Sequence, residues 1–257
     1  MVFPIADDNT GRRLTPYVNY TLIAINVVVF VLFQHLGQNL KFTYAFAVVP
    51  KEIVTGKDLT TPGKVLRDRQ TGSVYEIPGL QPTPIPVYLT LLTSMFMHAN
   101  LMHLFGNMLF LWIFGDNVED SLGHLRYSIF YLVCGLLASI AHIASTYAFD
   151  GNPLIPTLGA SGAISGVLGG YLVLHPRRRV LVVLFRLITE VPALVAIGMW
   201  FLFQLIYGLG ALGTKTGGVA YGAHIGGFLA GLLLVKVFAI GAQREERTLP
   251  QGRWVNQ

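Results

Sequence analysis

The chain has 257 residues, of which 53% are hydrophobic and only 12% are charged. A soluble domain of this size carries about 25% charged residues, so the composition excludes an ordinary soluble protein and predicts a helical membrane protein. Cys134 is the only cysteine in the sequence, which excludes an intrachain disulfide. The net charge of +5 does not predict nucleic-acid binding, because the basic residues flank apolar segments and form no patch with aromatic residues.

Six apolar segments are long enough, or nearly long enough, to cross a bilayer, which takes about 20 helical residues. The fourth of them is short for a membrane span. We therefore predict an all-α polytopic membrane protein with six transmembrane helices and a short central fourth helix. The segments cover residues 17–36, 101–119, 127–148, 161–175, 191–210 and 220–240.

Polar stretches divide the rest of the chain. The sequence before the first apolar segment is polar, and that segment is long enough to span, so we expect no cleavable signal peptide. The predicted parts are an N-terminal segment, 1–16, a membrane core, 17–240, whose long first loop, 37–100, carries a polar insertion at 51–86, and a polar tail, 241–257.

The positions of lysine and arginine predict how the helices are oriented in the membrane. Arg177, Arg178 and Arg179 follow the fourth segment, whereas the turn before that segment has no basic residue. We therefore expect a multi-pass protein of the cell (inner) membrane with both termini in the cytoplasm. The second, fourth and sixth segments then all run from the outer face inwards.

Three segments place hydrogen-bonding side chains at the same depth. His103 and Asn107 lie near the start of the second segment, Ser161 starts the fourth, and His224 lies near the start of the sixth. Random placement would rarely produce this agreement. The sequence therefore predicts a site that opens to the outer face.

Ser161 lies within Gly159-Ala160-Ser161-Gly162, at a predicted junction between a loop and a helix. A serine among glycines has little steric cover, and a helix N-terminus offers free N–H groups to an oxyanion. The motif therefore suggests a nucleophile. The alternative is that these small residues serve helix packing, which is common in membrane helices.

His224 is followed by Gly227 and Gly231, whose four-residue spacing favours close packing of the sixth segment on the glycine-rich fourth. Such packing would bring His224 to Ser161, whose hydroxyl needs an adjacent base to become a good nucleophile. A histidine in a membrane span is a functional candidate by default. The alternative is a neutral histidine bonded to a backbone carbonyl.

His103 and Asn107 are four residues apart and share a helix face, from which both can donate hydrogen bonds to a developing oxyanion. His98 is not placed to form a helical metal pair with His103, and H-E-x-x-H does not occur. The sequence also has no pair of intramembrane aspartates. We therefore expect no metal and no cofactor.

Three motifs together resemble those of the rhomboid family of intramembrane serine proteases. They are G-x-S-G at the start of the short fourth span, A-H-x-x-G-x-x-x-G in the sixth span, and H-x-x-x-x-H-x-x-x-N before and in the second span. The likeness covers about residues 17–240. It implies a dyad of Ser161 and His224, and substrates that are single-span membrane proteins within the lipid bilayer. It also implies an oxyanion site formed by His103, Asn107 and the backbone N–H of Ser161.

The same resemblance implies supporting roles for Gly159, Gly162, His98 and Gly227. It further implies that the fifth span is a movable gate, with Trp200, Phe201 and Gln204 near its packing face.

The sequence departs from the family at Ser165, where some members carry an aromatic residue that supports the histidine, and at Leu89 and Thr90, where some carry a Trp–Arg pair. Two other functions are alternatives. An inactive relative that binds transmembrane helices would usually lack the serine or the histidine, and both are present. A transporter would show internal repeats with midplane charges, and we find no convincing repeat.

Overall fold

The computed structural model of the protein describes residues 2–67, 74–184, 187–210 and 220–241. Most of these residues are helical, which agrees with the predicted fold class. A π-helical turn, Val29–Phe33, continues the first helix, and 3-10 turns flank the fourth. The α-helices of the described part are α1 (Tyr17–Val28), α2 (Leu40–Phe46), α3 (Pro50–Thr55), α4 (Thr90–Thr93), α5 (Leu101–Leu122), α6 (His124–Ala148), α7 (Ser161–Leu174), α8 (Ala193–Gly210) and α9 (Tyr221–Phe238).

Three helices of the described part, α6, α8 and α9, are long and apolar enough to cross a membrane. The apolar stretch Tyr17–Phe33 and helix α7 are shorter, and α5 has 22 residues, including acidic ones near its end. These helices support a multi-pass membrane protein. The count of six spans remains a prediction.

Helix α7 lies at the centre of the bundle and packs against α5, α6 and α9. Its residues from Gly162 to Tyr171 are all buried. A Cβ atom at Gly231 of α9 would lie 1.9 Å from the carbonyl oxygen of Gly166 of α7. Only glycine permits such an approach of one helix backbone to another, so the small residues fix the spacing of α7 and α9.

The prediction of an all-α protein is wrong outside the helical bundle. Strand β4 (Arg179–Leu184) pairs antiparallel with both β1 (Val2–Asp7) and β5 (Leu187–Pro192), in the order β1-β4-β5. A second sheet is the hairpin of β2 (Lys64–Arg67) and β3 (Val74–Ile77).

The strands lie in parts of the chain for which the sequence predicted none. The N-terminal segment 1–16 contains β1, and the fifth apolar segment, predicted to begin at residue 191, becomes helical only at Ala193 because residues 191 and 192 belong to β5. Each strand is only four to six residues long. Such short strands give no signal on the length scale of a membrane span, and β1 in addition pairs with β4 from the other half of the chain. Of the predicted tail 241–257, only residue 241 is described.

The three-stranded sheet joins the bundle at the end of α7 opposite Ser161, through the Asp7 cluster of Asp7, Asp116, Asn117, Tyr171 and Arg178. The Tyr171 hydroxyl and the Asn117 amide donate to Asp7 Oδ2 at 2.7 and 2.8 Å. The Arg178 guanidinium donates to Asn117, and Arg12 forms an ion pair with Asp116. Burial raises the pKa of Asp7 to about 7. This network connects β1, α5, α7 and the segment before β4.

Candidate active site

Ser161 is the first residue of α7 and follows a backbone turn that requires glycine. Gly159 has φ +127°, a left-handed conformation that side chains rarely adopt. Ala160 occupies the N-cap and supplies no capping side chain. The first N–H groups of a helix have no partner within the helix, so the Ser161 hydroxyl lies beside uncapped backbone donors.

His224 approaches Ser161 from α9. Its Nε2 lies 2.8 Å from Ser161 Oγ, within hydrogen-bond distance. The approach depends on Gly227, one turn further along α9, where a Cβ atom would lie 2.1 Å from the carbonyl oxygen of Gly162. Gly162 is confined in the same way, because a Cβ atom there would lie 2.7 Å from Cβ of Ala138. The two glycines therefore allow the contact between serine and histidine.

Helix α5 brings His103 and Asn107 to the same end of the bundle. Asn100 caps this helix, and its Oδ1 accepts a hydrogen bond from the backbone N–H of His103 at 2.9 Å. The backbone N–H of Ala99 donates to Nδ1 of the His103 ring at 3.4 Å. When the ring is neutral, Nε2 therefore carries the proton and can donate it.

Asn107 is buried, and its Nδ2 has no hydrogen-bond partner among the described residues. A buried donor without a partner costs about 1–3 kcal/mol, so such atoms are rare unless they serve a ligand. An oxyanion site requires a donor of this kind, which is free to form a hydrogen bond with the oxygen of a substrate carbonyl.

Gly159 lies between His103 and Ser161 and has no side chain to separate them. A Cβ atom at this position would lie 2.8 Å from Cε1 and 3.0 Å from Nε2 of the His103 ring, and 3.6 Å from Ser161 Oγ. Any larger residue at position 159 would therefore displace the His103 ring.

His98 packs against the ring of His103. It is fully buried, and its ring lies edge-on to the His103 ring with centroids 5.0 Å apart. Gln34 holds its backbone by accepting from the N–H and donating to the carbonyl, both at 2.9 Å. Burial, and to a smaller extent His103, lowers the pKa of His98 to about 3. The His98 ring is therefore a neutral packing surface at physiological pH.

A cavity opens beside Ser161 between α6 and α7. Small residues form much of its wall, including Gly135, Ala138, Gly162 and Ala163. A polar edge is provided by His142, whose Nε2 lies 2.9 Å from Thr157 Oγ1. The narrow, mostly apolar shape suits a small side chain.

Sequence reasoning missed one contact of His224. It placed Gln204 near the packing face of the fifth helix, but the structure shows Gln204 Oε1 2.8 Å from Nδ1 of His224. The available signal was that Gln204 is the only amide or charged side chain in α8, and polar residues in apolar helices usually have functional partners. Ser165 donates a hydrogen bond to the carbonyl oxygen of Ser161 at 2.6 Å.

Within the described ranges, no group of three or more histidine, cysteine, aspartate or glutamate residues could hold a metal ion. The geometry near Ser161 combines a hydroxyl with an imidazole at hydrogen-bond distance, at the uncapped N-terminus of α7. A hydroxyl beside a base is the arrangement that nucleophilic catalysis requires.

Comparison with known proteins agrees with this geometry. The sequence matches the Rhomboid domain over residues 86–240. Rhomboid protein 1, mitochondrial, of Saccharomyces cerevisiae is 28% identical over 239 residues, which cover 91% of this chain and 58% of the yeast protein. Rhomboid protease GluP of Bacillus subtilis is 34% identical over 143 residues, 55% of this chain and 24% of GluP.

RHOMBOID-like protein 4 of Arabidopsis thaliana is 33% identical over 174 residues, 65% of this chain and 36% of the plant protein. The chain thus spans 58% or less of the length of these three relatives. The matched domain nevertheless covers more than half of the chain and includes Ser161 and His224. The protein therefore belongs to the rhomboid family, as its sequence motifs predict.

Proposed function

We propose that the protein is an intramembrane serine endopeptidase with Ser161 as nucleophile and His224 as general base. The observation that carries this proposal is the 2.8 Å separation of Ser161 Oγ and His224 Nε2. A serine hydroxyl attacks a carbonyl only when a base removes its proton. His224 is the side chain within hydrogen-bond distance that can act as this base.

In the proposed reaction, the Ser161 hydroxyl attacks the peptide carbonyl while its proton passes to His224 Nε2. Asn107 Nδ2, His103 Nε2 and the backbone N–H of Ser161 stabilise the negative charge on the carbonyl oxygen. His224 then protonates the leaving amine, and an acyl-enzyme forms on Ser161. Water activated by His224 hydrolyses this ester and restores the serine.

The substrate class follows from the surroundings of the site. The site lies in an apolar helical bundle, and the cavity beside Ser161 is lined by small residues. We therefore propose single-span membrane proteins as substrates, cleaved next to a small side chain. The substrate helix must unwind locally, because the carbonyl oxygens of an intact helix are already hydrogen-bonded.

The topology in the membrane is part of the proposal. Six spans, with both termini in the cytoplasm, place the Ser161 end of the bundle at the outer face of the cell membrane. The arginines after α7 support this orientation, since they lie at the end opposite Ser161. Water for the hydrolysis then enters from the outer face.

The direct test is cleavage of a single-span substrate by the purified protein in detergent, with wild type and Ser161→Ala compared. We expect cleavage by wild type and none by the variant. Ser165→Ala is the matched control, because it removes a hydroxyl one turn further along α7. Equal cleavage by wild type and Ser161→Ala would overturn the assignment of the nucleophile. Absence of cleavage by wild type, with no labelling of Ser161 by a fluorophosphonate, would favour a helix-binding protein that does not cleave.

A further inference from the structure

His224 has a second polar contact that the two-residue dyad does not use. Its Nδ1 lies 2.8 Å from Oε1 of Gln204, which is on the neighbouring helix α8. The imidazole is therefore held at both nitrogens, by Ser161 on one side and Gln204 on the other. The inference below rests on the proposed function.

The chemistry of the two contacts determines where the proton lies on the neutral ring. An amide oxygen only accepts hydrogen bonds, so Nδ1 must donate to Gln204 Oε1. Nε2 of the neutral ring then carries a lone pair and can accept the proton of Ser161. The contact thus selects the one tautomer in which His224 can act as a base toward Ser161.

No other described residue is placed to do this. No carboxylate in the described part of the chain forms a hydrogen bond with His224. Ser165 is turned toward the Ser161 carbonyl oxygen. Aromatic rings lie near His224, with Trp200 at a centroid distance of 6.2 Å and Tyr221 at 6.4 Å. Such rings restrict the tilt of the His224 imidazole, but they do not determine which of its nitrogens carries the proton.

We propose that Gln204 is a positioning residue for the reaction, which orients His224 and keeps Nε2 free to act as the base. A neutral amide suits this place in the membrane. A buried carboxylate would have to lose its hydration, and the energetic cost of that loss can exceed the gain from the ion pair. The amide oxygen still stabilises the imidazolium formed when Ser161 loses its proton, because hydrogen bonds to charged groups are stronger than neutral ones.

The proposal makes the base depend on the packing of α8 on α9. Gln204 belongs to α8 and His224 to α9, and Phe201 stacks on Phe228 across the same pair of helices at 4.1 Å. Helix α8 is the least buried of the three long apolar helices. Separation of α8 from α9 would remove the hydrogen-bond acceptor from Nδ1 of His224. Either nitrogen of the neutral ring could then carry the proton.

The test compares Gln204→Leu with Gln204→Glu in the full chain, using cleavage of a single-span substrate as a function of pH. Leucine has no acceptor, so we expect kcat to fall by about 10- to 100-fold, within the range that general acid–base catalysis supplies, with little change in KM. Glutamate restores the acceptor. We expect it to recover most of the activity and to move the acidic limb of the pH profile to higher pH, because a carboxylate stabilises the imidazolium.

Two control variants distinguish a role of Gln204 in orienting His224 from a general effect of the substitution on folding. Phe201→Leu loosens the same pair of helices without touching His224, and we expect its pH profile to match that of wild type. Gln204→Asn keeps the amide but shortens the side chain, and we expect it to resemble Gln204→Leu in kcat.

An unchanged kcat in Gln204→Leu, or a Gln204→Glu profile with no shift and no recovery, would overturn the role of Gln204. Either result leaves the dyad intact if wild type cleaves and Ser161→Ala does not. Failure of wild type to cleave would instead contradict the proposed function.

Discussion

The two ends of the helical bundle each hold a serine paired with a histidine. At one end, Ser161 Oγ lies 2.8 Å from His224 Nε2, and at the other, Ser121 Oγ lies 3.0 Å from His175 Nε2. Distance alone does not distinguish the two pairs. The difference lies in the groups that surround them.

Ser121 lies in the last turn of α5 and donates to the carbonyl oxygen of Asn117, one turn earlier, at 2.9 Å. His175 is buried, with Nε2 3.4 Å from the same oxygen. Ser161 instead opens a helix whose N-terminus has no side-chain cap. The Ser121 pair is thus part of a folded helix end, whereas the Ser161 pair lies at a helix N-terminus without a side-chain cap.

Two asparagines of α5 show the same contrast. Asn107 and Asn117 are ten residues apart, about 15 Å along the helix. Asn107 Nδ2 has no partner among the described residues, whereas Asn117 bonds to Asp7, Asn9 and Arg178. One helix therefore carries an amide whose donor has no partner among the described residues and another whose hydrogen bonds join parts of the fold.

The largest expected effect separates the two histidines. His224→Ala should abolish cleavage, because loss of a base or nucleophile in a serine protease costs about 10⁶-fold in kcat. His175→Ala should leave kcat within a few-fold of wild type and lower thermal stability instead. Cleavage assays and thermal unfolding of both variants in the same detergent measure this. Equal loss of cleavage in both variants would remove the distinction between the two ends.

The second prediction concerns the asparagines. Asn107→Ala should lower kcat by about 10- to 1,000-fold, as expected for an oxyanion donor, without loss of stability. Asn117→Ala should instead lower the free energy of unfolding by about 1–3 kcal/mol, because it leaves buried partners unsatisfied. Measured kcat and unfolding curves give both values. A stability loss in Asn107→Ala equal to that in Asn117→Ala would contradict the difference.

The third prediction tests the glycine contact that brings His224 to Ser161. Gly227→Ala should lower both activity and stability, because its methyl group would lie 2.1 Å from the Gly162 carbonyl oxygen. Gly106→Ala on α5 is the matched control, since a Cβ atom there has nothing within 4 Å. The control should be as active and as stable as wild type. Wild-type behaviour of Gly227→Ala would show that α7 and α9 do not need this contact.

The smallest expected effect is a pH dependence of stability at the Asp7 end. Burial raises the pKa of Asp7 from 3.8 to about 7, with Asp116 adding to the rise and Tyr171, Arg178 and Asn117 opposing it. The protonated carboxyl is therefore favoured in the folded state. Its contribution to stability is complete below about pH 4, declines as the pH rises and is lost above about pH 7.

Thermal unfolding between pH 4 and pH 8 tests this dependence. Asp7→Asn should flatten the decline in stability, because the amide cannot ionise. Glu190→Gln, on the exposed part of β5 in the same sheet, should keep the wild-type slope. A wild-type slope in Asp7→Asn would assign the effect to another group.

The sequence predicted the helical bundle and the residues near Ser161 because both leave strong local signals. Apolar runs on the scale of a bilayer located the long helices, and glycines beside Ser161 and His224 indicated close packing. Gln204 was assigned to helix packing alone, since nothing in the sequence shows which side chain meets His224. The pairing of β1 with β4 joins residues 173 to 182 positions apart, and only the folded chain reveals it.

The Asp7 cluster was missed for the same reason. Its members come from β1, α5, α7 and the segment before β4, and each looks like an ordinary polar residue at the end of a helix or strand. The notable feature of these residues is that they satisfy one another's hydrogen bonds. This depends on contacts in the folded chain and not on the spacing of the residues in the sequence.

The most direct test of the central claim is to identify which serine reacts with a fluorophosphonate. The purified protein would be labelled in detergent, digested and mapped by mass spectrometry. We predict a label on Ser161, its loss in His224→Ala, and no label on Ser121. A label on Ser121 to the same extent, or persistent labelling of Ser161 without His224, would contradict the claim that the Ser161 end alone is built for catalysis.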